Sequence, residues 1–215
     1  MTTGYRSAAT ALPKFNIAVL DIDDGVTIDT VKLLLHDYTY FIYTTKSHTD
    51  KLNKFRVILP LSHVLSMTSD DHREFMENIY EWLPFDVDRA TKDIARKWRC
   101  NAGSVFKNQG KLLNALLFIP KTSKNEQRKA NQADYPSLNG LERWMVMNST
   151  SGGRNNHLLK YAYFLVDSGH DFPSIQNHVL GLNNKLKEPL PETEILSTIM
   201  SSVQRKIHDR DLGVK

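Results

Sequence analysis

Apolar residues recur along the chain with two different periods. Phe15 to Leu20 is a compact apolar and β-branched run closed by Asp21-Ile-Asp23, which predicts a buried strand. Thr27 to Leu35 changes to helical spacing, with Ile28, Val31, Leu34 and Leu35 on one face. Tyr38 to Thr44 and Phe55 to Leu61 return to strand-like runs rich in aromatic and branched residues. Thr68-Ser-Asp-Asp71 has the pattern of a helix start, and Phe75, Met76, Ile79, Trp82 and Leu83 form the apolar stripe that follows it. Leu112 to Ile119 predicts one more strand, paired with Trp98 to Asn101. The order βαββαβ predicts an α+β protein whose core is ferredoxin-like or RRM-like, an antiparallel sheet backed by two helices.

Beyond Pro120 the pattern changes. The stretch 121–136 is polar, offers little to bury and is bracketed by Pro120 and Pro136, which predicts a linker between a first domain, 1–120, and a second, 137–215. The second domain carries only helical spacing. A helix after Ser151-Gly-Gly presents Leu158, Ala162 and Leu165, a second presents Ile175, Val179 and Leu182, and a third, starting near Pro191, presents Leu196, Ile199, Met200, Val203 and Ile207. Gly169 fits a helix C-cap and Pro173 the first turn of the next helix, so a small helical bundle is expected.

Composition narrows the function. Cys100 is the only cysteine, which excludes an intrachain disulfide framework and a thiolate zinc site. The amino-terminal residues lack the pattern of a secretion signal and no apolar run is long enough for a membrane span, so an intracellular, cytoplasmic protein is expected. Charge is segregated. Residues 89–130 hold eleven lysines and arginines against Asp93 and Glu126, while the whole chain is only +4. Such a block suggests a polyanion partner, with Arg96, Lys97 and Arg99 at its centre.

The candidate chemistry begins with Asp21 and Asp23. Residues two apart on a strand share a face, and two carboxylates held together call for a cation between them. Oxygen-only ligands suit Mg²⁺ or Mn²⁺. The expected topology brings Asp86, from Leu-Pro-Phe-Asp, towards the same edge, with His48 and Arg56 flanking the hairpin between the second and third strands. Three carboxylates, a histidine and basic groups together resemble a nucleotidyl-transfer site. Arg154, at the start of the first helix of the second domain, adds a cation to a helix amino terminus and is a candidate phosphate clamp.

Val19-Leu-Asp-Ile-Asp23, Tyr43-Thr-Thr-Lys-Ser-His-Thr49, Phe55-Arg-Val-Ile-Leu-Pro-Leu-Ser62 and Pro84-Phe-Asp86 followed by Ala95-Arg96 resemble, in order and spacing, the archaeo-eukaryotic primase superfamily, in its primase-polymerase branch of phage and plasmid replication proteins. Gly153-Arg-Asn-Asn-His157, Leu182-Asn183 and Pro189-Leu-Pro-Glu-Thr-Glu194 are similar to the helical primase C-terminal module. The resemblance implies a DNA primase that makes primers from NTPs or dNTPs on a single-stranded DNA template. It assigns two metal ions to Asp21, Asp23 and Asp86, phosphate contact to His48, and triphosphate contact to Arg56. Lys46 stands where relatives carry the serine of the histidine motif, with Ser47 adjacent, and both are expected at the nucleotide. Arg96 and Lys97 are expected at template or triphosphate. Only twenty residues precede Asp21, where many relatives have a further αβ module, so part of the template surface is expected to be missing or to come from a partner. No phosphate loop occurs, which makes any replicative helicase a separate protein.

Other readings fit less of the chain. An RRM would stack bases on aromatic residues of its central strands, and Lys-Phe-Arg-Val-Ile-Leu lacks that pattern. A rolling-circle nuclease needs a His-x-His pair, which the eight histidines do not contain. His36-Asp37 reads as a helix end sooner than a phosphohydrolase dyad. The strongest alternative is a noncatalytic nucleic-acid-binding replication protein with a primase-like fold.

Overall fold

In a computed structural model of the chain, residues 5, 7, 10–11, 14–49, 51–99, 101–135, 137–149 and 152–212 are described. Cys100, Pro136 and Ser151, which entered the expectations above, lie outside the described residues. The chain divides into two compact units, Met1–Pro136 and Ser137–Lys215.

The first unit is built on a four-stranded antiparallel sheet of β1 (Lys14–Ile22), β2 (Tyr40–Thr44), β3 (Phe55–Ser66) and β4 (Val105–Asn108), in the order β1-β3-β2-β4. Between β1 and β2 runs α1 (Ile28–Leu34), capped by Thr27, whose side chain accepts from the Thr30 amide. After β3 comes α2 (Ser69–Trp82), capped by Thr68, which accepts from the Asp71 amide as the sequence predicts. Alternation decides which face is buried. Leu20 and Ile22 of β1, Ile42 of β2, and Phe55, Val57 and Leu59 of β3 enter a core shared with Val31 and Leu34 of α1 and Phe75 and Ile79 of α2. Edge-on ring contacts of Phe75 and Trp82 with Phe118 extend that core. The opposite face of the sheet is open.

The first three strands and α1 form the expected split β-α-β unit; the last strand departs from expectation. It is Val105–Asn108 and not Leu112–Ile119, and it joins β2, whereas a ferredoxin-like sheet places it beside β1. Both ends of β4 are pinned to the flanks of β2. Thr44 and Ser104 exchange backbone and hydroxyl bonds at 3.1 and 3.0 Å, and Gly103 packs against Thr44 where a Cβ would clash. At the other end, Asn108 Nδ2 donates to the carbonyls of His36 and Tyr38. Trp98 and its described neighbours form no strand. Leu112–Ile119 instead places Leu113 in a single bridge to Leu61 and turns through a 3₁₀ segment, Ala115–Leu117, capped by Asn114. Leu113, Ala115 and Phe118 are buried there, so an apolar run that reads as a strand is consumed by core packing.

The stretch expected as a linker forms a helix, α3 (Ser123–Ala133), within the first unit. Its polarity misleads because the buried residues are themselves polar. The Arg128 side chain is only 4% exposed; it bonds Asn125, Gln132 and Asn78 and the Leu117 carbonyl, and lies 5.4 Å from the Phe118 ring. Asn78 in turn donates to the Phe118 carbonyl at 2.9 Å. These hydrogen bonds fasten α3 to α2, although the buried Asn125 Nδ2 itself has no partner among the described residues.

The second unit is helical: α4 (Gly140–Asn148), α5 (Arg154–Asp167), α6 (Phe172–Asn183) and α7 (Glu192–Glu194), which continues through a π-helical stretch, Ile195–Met200, into α8 (Ser201–Asp211). Gly169 takes the left-handed conformation after α5, and Pro173 lies in the first turn of α6, both as the sequence predicts. α4, opened by an Asn139–Glu142 capping box, is an addition to the expected bundle. The π stretch shifts the buried face. Ile195, Ile199, Met200 and Val203 are buried while Leu196, expected in the core, is exposed, because wider turns advance the stripe by one residue.

Candidate functional site

The open face of the sheet is ruled in rows by the strand register. Asp21 of β1 lies opposite Arg56 of β3, which lies opposite Tyr43 of β2. Arg56 Nε donates to Asp21 Oδ1 at 3.1 Å, and both side chains are largely buried, at 16% and 9% exposure. Arg56 Nη1 also donates to Tyr43 Oη at 3.3 Å and to the Arg99 carbonyl at 3.0 Å. The guanidinium lies 5.0 Å from the Trp98 ring centroid, and Arg96 lies 5.6 Å from the same ring. A pocket of about 480 Å³ opens here, lined by Arg56, Arg96, Lys97, Trp98 and Arg99.

Asp23 follows the end of β1 and is exposed, with Lys54 Nζ at 3.3 Å. Asp86 is also exposed. The carboxylates whose charge reaches Asp21 are Asp23 and Asp88, so the acid that the fold brings to Asp21 after α2 is Asp88. The Asp88 amide donates to the Asp21 carbonyl at 2.9 Å, and its side chain caps the 3₁₀ turn Arg89–Lys92. Burial, with the like charges of Asp23 and Asp88, holds the Asp21 carboxyl above its ordinary value although Arg56 pulls the other way. Burial disfavours the Arg56 cation, but Tyr43 and Asp21 outweigh it and hold the guanidinium more firmly protonated. Among the described residues, no group of three or more His, Cys, Asp or Glu is placed to hold a metal ion.

His48 belongs to the loop between β2 and β3, where its Nδ1 accepts from the Lys54 amide at 3.1 Å. That bond leaves Nε2 as the donor of the neutral ring. Lys54 thereby ties His48 to Asp23 through its amide and its ammonium group. Lys46 and Ser47 lie exposed in the turn before His48.

The basic block divides in two. Arg89 and Lys92 pair with Glu77, and Lys129 with Glu74, so α2 neutralises much of it. Among the described residues, Arg96, Lys97 and Arg99 form no ion pair with an acid, and these three remain at the pocket. Arg154, expected as a phosphate clamp, is engaged with Glu188. Its Nη1 donates to the Glu188 carbonyl at 2.6 Å and lies 3.3 Å from Glu188 Oε2, so it fastens the start of α5 to the segment before α7.

Asp88, Lys54, Tyr43 and Trp98 are additions to the residues expected from sequence. Asp88 repeats, with Asp86, the Asp-x-Asp spacing of Asp21 and Asp23, and it heads Arg-Ala-Thr as a capping residue would. Trp98 lies inside the basic block, the one aromatic residue between Arg96 and Arg99.

Residues 145–208, within the second unit, match the family model for Primase C terminal 1 (PriCT-1). The second unit therefore carries a primase-related C-terminal module. No curated protein and no solved structure matches the chain. Among the described residues, no helix is long and apolar enough to cross a membrane.

Proposed function

We propose that the chain is a primase, a nucleotidyltransferase that builds primers from NTPs or dNTPs on single-stranded DNA. The observation that carries this reading is the adjacency of Asp21, crowded by Asp23 and Asp88, to a pocket lined by four cations and Trp98. The primase-related module in the second unit supports it.

Asp21, Asp23 and Asp88 are not gathered as a metal-binding cluster in this structure, but their hard carboxylate oxygens are of the kind that suits Mg²⁺ or Mn²⁺. Two such ions, when bound, would lower the pKa of an attacking 3′-hydroxyl and take up charge on the departing pyrophosphate. The cationic side chains act on the triphosphate. Arg56, Arg96, Lys97 and Arg99 offset its charge in a partly enclosed pocket, where fixed donors are stronger than in water. His48 donates Nε2–H to a phosphate oxygen while its Nδ1 stays engaged with Lys54, and Lys46 and Ser47 add donors from the same turn.

Primer synthesis on single-stranded circular DNA, with labelled NTPs or dNTPs and Mg²⁺ or Mn²⁺, tests the reading. Labelled oligonucleotides that require the metal and disappear in Asp21→Ala are expected. The second reading, a noncatalytic nucleic-acid-binding replication protein, is favoured by the Arg56–Asp21 pair, in which the acid already has a cation. It would be adopted if the chain binds single-stranded DNA yet yields no product under any of these conditions.

A further inference from the structure

One pleat from the row of Asp21, Arg56 and Tyr43, the register aligns a second row on the open face: Val19 of β1, Ile58 of β3, Phe41 of β2 and Lys107 of β4. Beyond it Ile17 lies opposite Pro60. Phe41 is 46% exposed and Ile17 43%, on a central and an edge strand of a sheet whose other face is packed along β1, β2 and β3. Successive rows are about 6.7 Å apart, two strand residues. The face is therefore apolar in its middle, with one aromatic ring, and bordered by Lys107 on the β4 side and by Arg56 on the acid side.

We infer that this face is a stacking platform for single-stranded nucleic acid, with a base against the Phe41 ring and the adjoining phosphate at Lys107. The inference deepens the primase reading by locating the template, and rests on it for the identity of the strand. The occupant follows from chemistry on the face itself. A base has a flat apolar surface that an exposed phenyl ring takes without regard to sequence, while the backbone needs cations at the border. The acids lie at one end only, beside the cationic pocket, so a strand on Phe41 passes one row from Asp21. Phe41 stands on the second strand, whereas the aromatic residue of the third, Phe55, is buried on the other face.

Fluorescence anisotropy of labelled dT20 with the full chain tests the platform. Phe41→Ala is expected to weaken binding about tenfold, the effect of losing one stacked base, with an unchanged salt slope. Phe41→Leu, which keeps apolar bulk and protects the fold, should recover little, and Phe41→Trp should bind at least as well, with its indole emission quenched by dT20. Lys107→Ala should reduce the salt slope by about 0.7, one phosphate contact on a single strand. ATP binding, measured calorimetrically, should be unchanged in all four. Wild-type affinity for dT20 in both Phe41→Ala and Phe41→Leu overturns the platform, as does a wild-type chain that fails to bind dT20. So does a wild-type dimer that Phe41→Ala dissociates with DNA binding intact, which would make the face a contact between copies. If primer synthesis proceeds while Phe41 proves silent, the platform fails and the primase reading stands; if Phe41 carries dT20 binding and no primer forms, the reverse holds.

Discussion

Arg56 Nε lies 3.1 Å from Asp21 Oδ1, so a guanidinium fills the position beside the carboxylate that a metal cation would take. Removing that charge should make Asp21 more receptive to a bare ion while depriving the triphosphate of a partner. Arg56→Gln is expected to tighten Mn²⁺ binding several-fold without nucleotide and to weaken ATP binding, both read by calorimetry. Arg56→Lys should not restore ATP binding, because a single ammonium cannot reach Asp21, Tyr43 and the Arg99 carbonyl together.

Asp21 and Asp23 should separate in stability although the proposed reading gives both the same chemistry. Either alanine variant is expected to lower nucleotide incorporation by about 100-fold or more, the scale seen when one electrostatic stabiliser is lost. Asp21→Ala leaves Arg56 largely buried without its carboxylate and should cost about 1–3 kcal/mol in urea denaturation. Asp23→Ala removes an exposed charge that repels Asp21, and its stability should stay within about 0.5 kcal/mol of wild type.

Asp88 and Asp86 offer a sharper discrimination, since they are two residues apart and only Asp88 acts on Asp21 among them. Asp88→Asn should abolish primer synthesis and weaken Mn²⁺ binding, whereas Asp86→Asn should leave both near wild type. The opposite result in a paired incorporation assay would return the third acid to Asp86.

The pH dependence follows from the direction of the Asp21 shift. Burial first, then Asp23 and Asp88, raise its carboxyl in the folded chain, so the folded state holds that proton more readily than the unfolded state does. The stability this adds is present below the ordinary carboxylate pKa and is lost as pH rises through the raised value. On the proposed reading, a divalent ion would relieve the cost of ionising Asp21. Added Mn²⁺ should raise the melting temperature more at about pH 7 than at about pH 4, where protons compete, and Asp21→Asn should flatten the difference.

Arg128→Ala should destabilise the first unit by about 2–4 kcal/mol, read by chemical denaturation, because it strips bonds from Asn125, Asn78 and Gln132 in a buried network. Arg128→Lys should recover less than half, since one ammonium cannot span all three partners.

Period and capping made most elements legible in the sequence. The buried rows of β1, β2 and β3, the stripe of α2 and the Gly169 and Pro173 punctuation follow from residue spacing alone, since each has a strong local cause. What was not legible depends on distant partners. Val105–Asn108 is a short edge strand of alternating half-buried and exposed residues, and only its anchors on Thr44, His36 and Tyr38 make it pair. α3 reads as a linker because its buried residues are Asn125 and Arg128, which no hydropathy pattern counts as core. The placement of Asp21, Arg56 and Tyr43 in one row follows from strand register, whereas the nearness of Asp88 to Asp21 depends on the loop geometry after α2.

The Arg128 network also bears on how the chain is made. Asn78 and its guanidinium partner are fifty residues apart in sequence, and β4 pairs with β2 only after more than sixty residues have intervened. A nascent chain that has emerged as far as α2 holds three strands whose β2 edge is bare and a helix whose buried amide lacks its carbonyl and guanidinium partners. Synthesis must pass residue 108 before that edge is covered and residue 128 before that amide meets both partners, which gives the ribosome-bound intermediate several seconds, at about 5–20 residues per second, of exposure to pairing with other chains.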